Sequence, residues 1–530
     1  MAAALLSGAL YFAAFPPLDL GLLGWLALAP LLVSVSGRRT GVSLGLGWLA
    51  GTVACNGLTT PALLVALPRA DLSSGASIAL AVAIPQLFGA LPFAGFAAIA
   101  AALMRRRGSA PIRSLVAVAS AWAAIDLLRA RLLGCPWVLL AHSQHARLWV
   151  LQVADLGGAP AVGFLLALVS ALAADVALAF VPSTRVGARA EGSPEPAHAT
   201  SLAGWTGRVA FVGAALVAAG LYGRLRLDAL GDPAATRPML RIAVVQPDIP
   251  REWRTSLGQV REAVARLAAA TAEVMDPMTR LVVWPENAVG VSVGSSTRIG
   301  STVRDLLAAS SAELLLGAPR EVASGPGRAA LRNSAVLINR SGRVVRAYDK
   351  RILVPFGEVA PASGVFEVFG GTPGPDAYTA GDEWTLFPVA GSRFAVLICF
   401  EGIFADAVRS FVSAGAELLV NLSNDDWFGG EAARDQHFRA TALRAIETRR
   451  FLVRATNSGV SAVVAPTGEV VAQAPVDATV TLVADVTPSR ERTLYSRFGD
   501  LFGWLCGTAT LLALVALRRR ARSPNLTCDR

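Results

Sequence analysis

Charge is scarce in this sequence. Of 530 residues, 16% are Asp, Glu, Lys or Arg, 54% are hydrophobic, and the mean hydropathy is +0.51. A chain of this length with so little charge is not a purely water-exposed globular protein; part of it belongs in lipid. Histidine occurs at only four positions, His142, His145, His198 and His437, which leaves little material for histidine chemistry. The five cysteines (Cys55, Cys135, Cys399, Cys506, Cys528) show no C-x-x-C and no paired spacing. Neither a disulfide framework nor a zinc site is expected, and no metal or other cofactor. The formal charge of +10 comes from arginines spread among apolar segments, with no basic stripe interleaved with aromatics. Nucleic acid is therefore not an expected partner, and the charge reads as membrane topology.

Apolar windows lie near residues 1–14, 20–36, 41–67, 78–104, 114–133, 159–181, 209–223 and 500–517. Several reach the ~20 residues needed to cross the bilayer, so about eight transmembrane helices are expected, good to one either way. The N-terminal stretch has no basic n-region and no small-residue cleavage site, and reads as a retained span. Arg38 and Arg39, Arg105–Arg107 with Arg113, Arg185, Arg189 and Arg208, and Arg518–Arg520 with Arg522 all fall on one side if eight spans alternate. The other side carries far fewer. The positive-inside rule then places both termini in the cytoplasm and the block between spans seven and eight outside. The expected domains are a bundle over 1–223, an outer block over 224–498, and a last span with a basic tail over 499–530. One outer loop breaks the pattern: Arg129, Arg131, His142, His145 and Arg147 surround Gly134-Cys135-Pro136-Trp137. These are either snorkelling residues with an interfacial Trp or a surface for an anionic lipid head group. Asp126, one turn before Arg129, has the spacing to neutralise it.

The outer block has another rhythm. Arg241–Gln246, Leu281–Trp284 and Leu314–Gly317 read as strands, and 257–275 has helical periodicity. Ser334–Asn339 and Val344–Tyr348 flank Arg340-Ser341-Gly342; Val460–Ala465 and Glu469–Ala474 flank Pro466-Thr467-Gly468. Both arrangements are hairpin signatures. Phe394–Ile398 and Glu417–Asn421 are further strands, with helices expected over 402–413 and 431–450. The alternation implies a mixed sheet covered by helices.

Three polar residues follow apolar strands here. Glu286 ends Val282-Val283-Trp284-Pro285-Glu286, Lys350 follows Val344–Asp349, and Cys399 ends Phe394-Ala395-Val396-Leu397-Ile398-Cys399. Each has a plain structural reading: a helix cap, a surface lysine, a packed core thiol. As a set they have a chemical one. A nucleophilic thiol needs a base and a nearby cation, and His437 is the one histidine in this block. A Glu–Lys pair divides that work: the carboxylate takes the thiol proton and the ammonium stabilises thiolate and oxyanion.

Trp284-Pro285-Glu286, Tyr348-Asp349-Lys350 with Leu353-Val354-Pro355-Phe356-Gly357-Glu358, and Cys399-Phe400-Glu401 resemble the Glu-Lys-Cys signatures of the nitrilase superfamily. Their order and surroundings resemble its membrane branch, the apolipoprotein N-acyltransferases. Phe15-Pro16-Pro17-Leu18-Asp19, Gly134-Cys135-Pro136-Trp137, Asn424-Asp425-Asp426-Trp427-Phe428-Gly429, His437-Phe438 and Thr456-Asn457-Ser458-Gly459-Val460 extend the resemblance over nearly the whole chain. Phe400 departs from it, standing where a Tyr is common; Gln246-Pro247-Asp248 replaces Gln-Gly-Asn, and Asp426 stands where a small residue is frequent.

The resemblance implies a four-layer αββα domain on the outer face of a bacterial cytoplasmic membrane. It implies a phospholipid acyl donor, an acceptor that is a diacylglyceryl-cysteine apolipoprotein, and a Cys399 thioester formed with Glu286 as base and Lys350 at the oxyanion. Trp253, Phe356, Phe400, Trp427 and Phe428 line an acyl channel or form a lid on this reading, or else pack an ordinary core. Glu358 and Glu401 orient Lys350 or the thiol, or form a structural ion pair. Two other classes compete. A membrane-tethered amidase or nitrilase-type hydrolase has the same triad, but about eight spans exceed what an anchor requires. A transporter with an outer binding module would carry more intramembrane charge than Asp126 and its few companions.

Overall fold

The structure is a computed structural model that describes residues 1–70, 72–105, 111–180, 202–230, 239–250, 257–292, 298–308, 311–325, 328–359 and 378–522. The chain divides into two compact units. One comprises Met1–Pro61, Val82–Arg226 and Phe498–Arg530; the other comprises Ala62–Ala81 and Leu227–Arg497.

Among the described residues, five helices are long and apolar enough to cross a membrane: Thr40–Ala66, Ser74–Met104, Ala154–Ala179, Thr206–Leu230 and Leu501–Arg519. The other three apolar windows behave differently. Residues 1–14 form the 12-residue helix Ala2–Ala13. Residues 20–36 form a 3₁₀ turn, Gly21–Trp25, and a separate seven-residue helix, Ala29–Val35. Pro30 occupies the first turn of that helix, where its missing N–H costs nothing, so it starts a new helix instead of extending the turn. Residues 114–133 lie in the 21-residue helix Pro111–Arg131, which carries Arg113, Asp126, Arg129 and Arg131.

Close approach in the first unit relies on small residues: a Cβ added to Gly51 would sit 2.6 Å from the Cα of Ala90. Several of its charges are matched in pairs. Arg208 bonds Asp175, Tyr222 and Arg226 bond Asp155 at 2.7 and 3.1 Å, and Arg131 Nε donates to Asp500 at 2.6 Å. Among the described contacts no direct hydrogen bond joins Arg129 to Asp126, although their charges attract; the Arg129 guanidinium donates to the Trp137 carbonyl.

In the second unit the described strands are β1 Leu240–Gln246, β2 Thr279–Val283, β3 Glu313–Gly325, β4 Arg328–Ile338, β5 Val344–Asp349, β6 Leu386–Val389, β7 Ser392–Ile398, β8 Leu418–Ser423, β9 Leu452–Thr456, β10 Ala462–Val464, β11 Val470–Gln473 and β12 Val480–Val486. They form two six-stranded sheets, ordered β12-β1-β2-β3-β4-β5 and β11-β10-β9-β8-β7-β6. Period-two alternation assigns the faces. Leu240, Ile242 and Val244 of β1 join Val396, Val420 and Val453 in the interior between the sheets. Ala243 and Val245 face the other way, onto Val260, Val264 and Leu267 of helix Leu257–Ala272. The second sheet is covered by helices Ala405–Ser413 and Glu431–Thr448, through Val408, Phe411, Phe438 and Ala445. The layers run helix, sheet, sheet, helix. Each fully buried Val, Leu or Phe in this interior contributes ~1.5–3 kcal/mol.

Both expected hairpins are present, with antiparallel β4–β5 and β10–β11 pairs and left-handed glycines at Gly342 (φ 73°) and Gly468 (φ 87°). The segment 402–413 is not one helix: a 3₁₀ turn, Cys399–Ile403, precedes helix Ala405–Ser413. Strands β3 and β4, of 13 and 11 residues, are far longer than their apolar cores. Their extensions mix Arg, Glu, Ser and Asn with Ala, Val and Leu in no continuous apolar run, so hydrophobic patterning did not reveal them.

Candidate active site

Topology brings two of the three strand ends together. Strand β2 is parallel to β3, and β4 is antiparallel to both β3 and β5. Strands β2 and β5 therefore point the same way, and Glu286 and Lys350 leave the same edge. Glu286 is held past its strand by continued backbone pairing: Gly317 N donates to Pro285 O at 3.1 Å, and Ala288 N to Gly317 O at 2.9 Å. A Cβ on Gly317 would lie 2.6 Å from the Glu286 Cα, so only glycine admits this crossing. In the facing sheet Cys399 follows β7 directly, in the left-handed region at φ 52°. A non-glycine residue there costs on the order of 1–2 kcal/mol and needs surroundings that impose it.

The side chains of Glu286, Lys350 and Cys399 are all buried. Lys350 Nζ donates to Glu286 Oε1 at 3.3 Å and to Glu358 Oε1 at 2.9 Å. Asn333, in the extension of β4, donates to the same two oxygens at 2.8 and 2.7 Å. Glu358 is steadied in turn by the Val354 amide at 2.8 Å. Burial opposes the Lys350 ammonium, but Glu286, Glu358 and the Cys399 sulfur outweigh it and hold its pKa well above the usual value. The lysine is therefore a permanent cation. Burial pushes the Cys399 thiol up to about 12, Glu286 adds to the rise, and Lys350 opposes it. At neutral pH the resting sulfur is protonated, so a base has to act when substrate arrives.

Glu401 ties the two sheets' loops together. Its Oε1 accepts from Tyr348 OH at 2.9 Å, Arg351 N at 2.7 Å and Ile352 N at 3.1 Å; its Oε2 accepts from Ile398 N at 2.8 Å. Those partners bracket Lys350 on one side and Cys399 on the other. Among the described residues Glu401 makes no ion pair; its bonds join the backbone after Lys350 to the end of β7.

Behind Cys399 lies a buried polar layer. Asn421 Nδ2 donates to the carbonyls of Leu397 (3.0 Å) and Cys399 (3.3 Å). Arg454 donates to Asn421 Oδ1 and to both oxygens of Asp425, at 3.0 and 2.8 Å. Asp425 also meets His437 Nδ1 at 3.0 Å and accepts from Ser423 Oγ at 2.8 Å. Burial would raise the Asp425 pKa, but Arg454 and His437 hold it far below the carboxylate range. Burial, reinforced by Arg454, lowers the His437 pKa, so its ring is neutral.

The remaining expected residues sit as follows. Phe400 is half-buried and packs edge-on against Phe404 at 5.0 Å. Phe428 packs against the His437 ring at 5.4 Å, and Trp427 is half-buried in the same 3₁₀ turn, Asp425–Phe428. Phe356 adopts a left-handed φ of 66° in the loop after Lys350. Trp137 is buried in the first unit, and Trp253 lies outside the described residues. The departures from the family pattern have structural partners: Gln246 Nε2 donates to the Pro475 and Ala478 carbonyls at 2.7 and 2.9 Å, Asp248 N donates to Asn457 O at 2.9 Å, and Asp426 accepts from Asn457 Nδ2 at 2.7 Å. Asn333, Ser423 and Arg454 were not singled out from sequence. They are polar residues inside strands, and no local pattern marks which partner they will meet.

Comparison with known proteins bears on both units. Residues 241–495 match the carbon-nitrogen hydrolase family model, and residues 7–172 match that of the apolipoprotein N-acyltransferase N-terminal domain. An apolipoprotein N-acyltransferase of Chlorobaculum tepidum is 30% identical, over 97% of this chain and 96% of that protein. The chain belongs to the apolipoprotein N-acyltransferase family. Others named so are those of Geobacter metallireducens, 29% identical over 98% of this chain and 95% of that one, and Gloeobacter violaceus, 30% identical over 96% and 92%. Among solved structures, a nitrilase-superfamily amidase from Nesterenkonia AN1 is 19% identical with a TM-score of 0.36, covering 50% of this chain and 95% of that one. The carbon-nitrogen hydrolase match over 241–495 gives the second unit a nitrilase-like fold, and the family is one of acyltransferases.

Proposed function

We propose that this protein transfers an acyl chain from a membrane phospholipid to the α-amine of a diacylglyceryl-cysteine apolipoprotein, the last step of lipoprotein maturation, at a Glu286–Lys350–Cys399 triad. The observation that carries the reading is a buried, protonated thiol facing a carboxylate and a permanent ammonium, in a chain related to apolipoprotein N-acyltransferases along nearly its full length. An amidase-type hydrolase would account for residues 241–495 and leave the match over 7–172 without a role.

Glu286 takes the Cys399 proton as the sulfur attacks the ester carbonyl of the phospholipid. Lys350 stabilises the oxyanion. Collapse releases a lysophospholipid and leaves a thioester, with Glu286 returning its proton to the leaving oxygen. The acceptor amine then attacks, giving an amide and restoring the thiol. Both substrates are held in lipid by ~0.8 kcal/mol per buried CH₂, so the thiol has to work at the membrane surface. This fits a bacterial inner-membrane protein with about eight spans, both termini cytoplasmic and the block 224–498 on the outer face. The proposed boundaries remain 1–223, 224–498 and 499–530. Aromatic residues Trp253, Phe356, Phe400 and Trp427 would shield the thioester from water, and the Trp137 loop would hold a lipid head group.

Intact-mass measurement of protein purified from membranes tests the chemistry. A hydroxylamine-labile acyl mass, absent from Cys399→Ala, is the expected result. Persistent absence of that mass when phospholipid is supplied would overturn the proposal.

A further inference from the structure

The triad supplies a base and a cation, but the thiolate it generates is large, buried and flanked by Glu286 and Asp425, two groups that disfavour negative charge on sulfur. Lys350 opposes them. A sulfur so placed needs a neutral donor on its other side, and the neighbouring strand of the same sheet provides one. Strands β7 and β8 run parallel, with Ile398 paired to Leu422. The next step in that register sets Cys399 beside Ser423. Ser423 is fully buried; its hydroxyl donates to Asp425 Oδ1 at 2.8 Å and sits near enough to the Cys399 side chain to lower the thiol's pKa.

A serine hydroxyl has one hydrogen and two lone pairs, so its two contacts are not equivalent. At rest the hydrogen points to Asp425, and the Ser423 oxygen faces a protonated sulfur. We propose that Ser423 is a fourth catalytic residue, a hydroxyl rotor that turns its hydrogen from Asp425 to Cys399 Sγ as the thiolate forms. The sulfur's own proton goes to Glu286 and later to the leaving oxygen, while Ser423 keeps its hydrogen throughout and changes only its acceptor. Thiolate hydrogen-bonded to an O–H is stabilised as any charged acceptor is.

The buried layer makes that turn feasible. An ionised carboxylate that lost a buried hydrogen bond would normally bear a substantial penalty. Asp425 does not depend on Ser423, because Arg454 reaches both its oxygens at 3.0 and 2.8 Å and His437 Nδ1 lies at 3.0 Å. The same layer holds the backbone: Arg454 fixes Asn421, and Asn421 holds the Cys399 carbonyl at 3.3 Å. Arg454 and His437 therefore act as positioning residues, through Asp425 and Asn421, on a nucleophile kept in a left-handed conformation. The groups facing the sulfur or its partners are Glu286 after β2, Lys350 after β5, Asp425 after β8, His437 on helix Glu431–Thr448, Arg454 on β9 and Glu401 on the turn that Cys399 itself begins.

This inference rests on the thioester reading, and its test separates the two. Full-length protein in detergent micelles is compared as wild type, Ser423→Ala, Ser423→Thr and Cys399→Ala. The Cys399 thiolate is titrated through the pH dependence of iodoacetamide alkylation, and acylation is timed by intact mass after phospholipid is added. With Ser423→Ala the alkylation rate at any fixed pH below the midpoint is expected to fall about tenfold, and acylation to slow roughly tenfold or more. Ser423→Thr, which keeps the hydroxyl, is expected to stay near wild type, and thermal unfolding reports that each variant is folded. A Ser423→Ala protein with the wild-type alkylation profile and acylation rate overturns the rotor and leaves the triad standing. A shift in Ser423→Thr as large as in Ser423→Ala overturns it too, since the hydroxyl would then not be what matters. Absence of any acyl mass in wild type overturns the underlying function instead.

Discussion

Lys350 Nζ lies 2.9 Å from the Glu358 carboxylate, both of them buried or nearly so. That ion pair is closer than the one between Lys350 and Glu286, at 3.3 Å. The lysine thus leans towards Glu358, while Asn333 donates to both carboxylates.

Replacing Glu358 by Gln removes one of the two carboxylates that Lys350 contacts; with the remaining oxygen kept towards Lys350 and Asn333, the Val354 N–H loses its acceptor. Acyl transfer should fall roughly 10–100-fold, the range for one hydrogen bond to a charged group. Stopped-time acylation measured by intact mass checks this, with Cys399→Ala as the zero.

Glu286→Gln should separate ionisation from catalysis. The Glu286 charge raises the Cys399 pKa, so its removal should bring the alkylation midpoint below about 12. The resting thiol becomes easier to ionise, yet acyl transfer should drop by roughly 10²–10⁴-fold because the base is gone. Iodoacetamide titration and acylation kinetics on one sample would show the opposed effects. Parallel losses in both would count against Glu286 as the base.

Glu401→Gln places an NH₂ against a site built only of donors. With Oε1 kept towards Tyr348, Arg351 and Ile352, the new amide meets the Ile398 N–H, which now lacks its acceptor. Leaving one buried donor unsatisfied costs ~1–3 kcal/mol. Thermal unfolding should show the loss, and acylation should slow because the turn carrying Cys399 loosens.

Asp425→Asn leaves Arg454 buried without its countercharge, at a cost of ~3–5 kcal/mol. The folded-state pKa of Asp425 is depressed from the ordinary 3.8. Its stabilisation is therefore complete above that pH and is lost as pH falls towards the depressed value. Wild type should exceed the variant in stability by a constant margin at neutral pH, and the margin should shrink below pH ~4. Denaturant unfolding at several pH values checks the sign.

The strand ends were legible in sequence because burial leaves a strong local mark. An apolar run such as Phe394–Ile398 can only lie inside, and a thiol or carboxylate that stops it has to emerge at a sheet edge. The same patterning signalled the hairpins at Gly342 and Gly468, where φ is positive. It signalled the membrane half too, but hydropathy averages over a window. It could not tell the long helix Thr40–Ala66 from the turn and short helix that divide 20–36.

By itself, the sequence determined the order of strands and helices, the apolar faces, the three polar strand ends and the family resemblance. These depend on neighbours a few residues away. Only the tertiary structure decided that β4 runs back between β3 and β5, so that Glu286 and Lys350 share an edge and Asn333 bridges Glu286 to Glu358. It also decided that Ser423, Asp425, His437 and Arg454 form one layer behind Cys399. The physical reason is that a buried polar residue must find its partner through space, and here those partners come from different strands and helices. Hydrophobic periodicity records which side of an element is buried, not which hydrogen bond is made there.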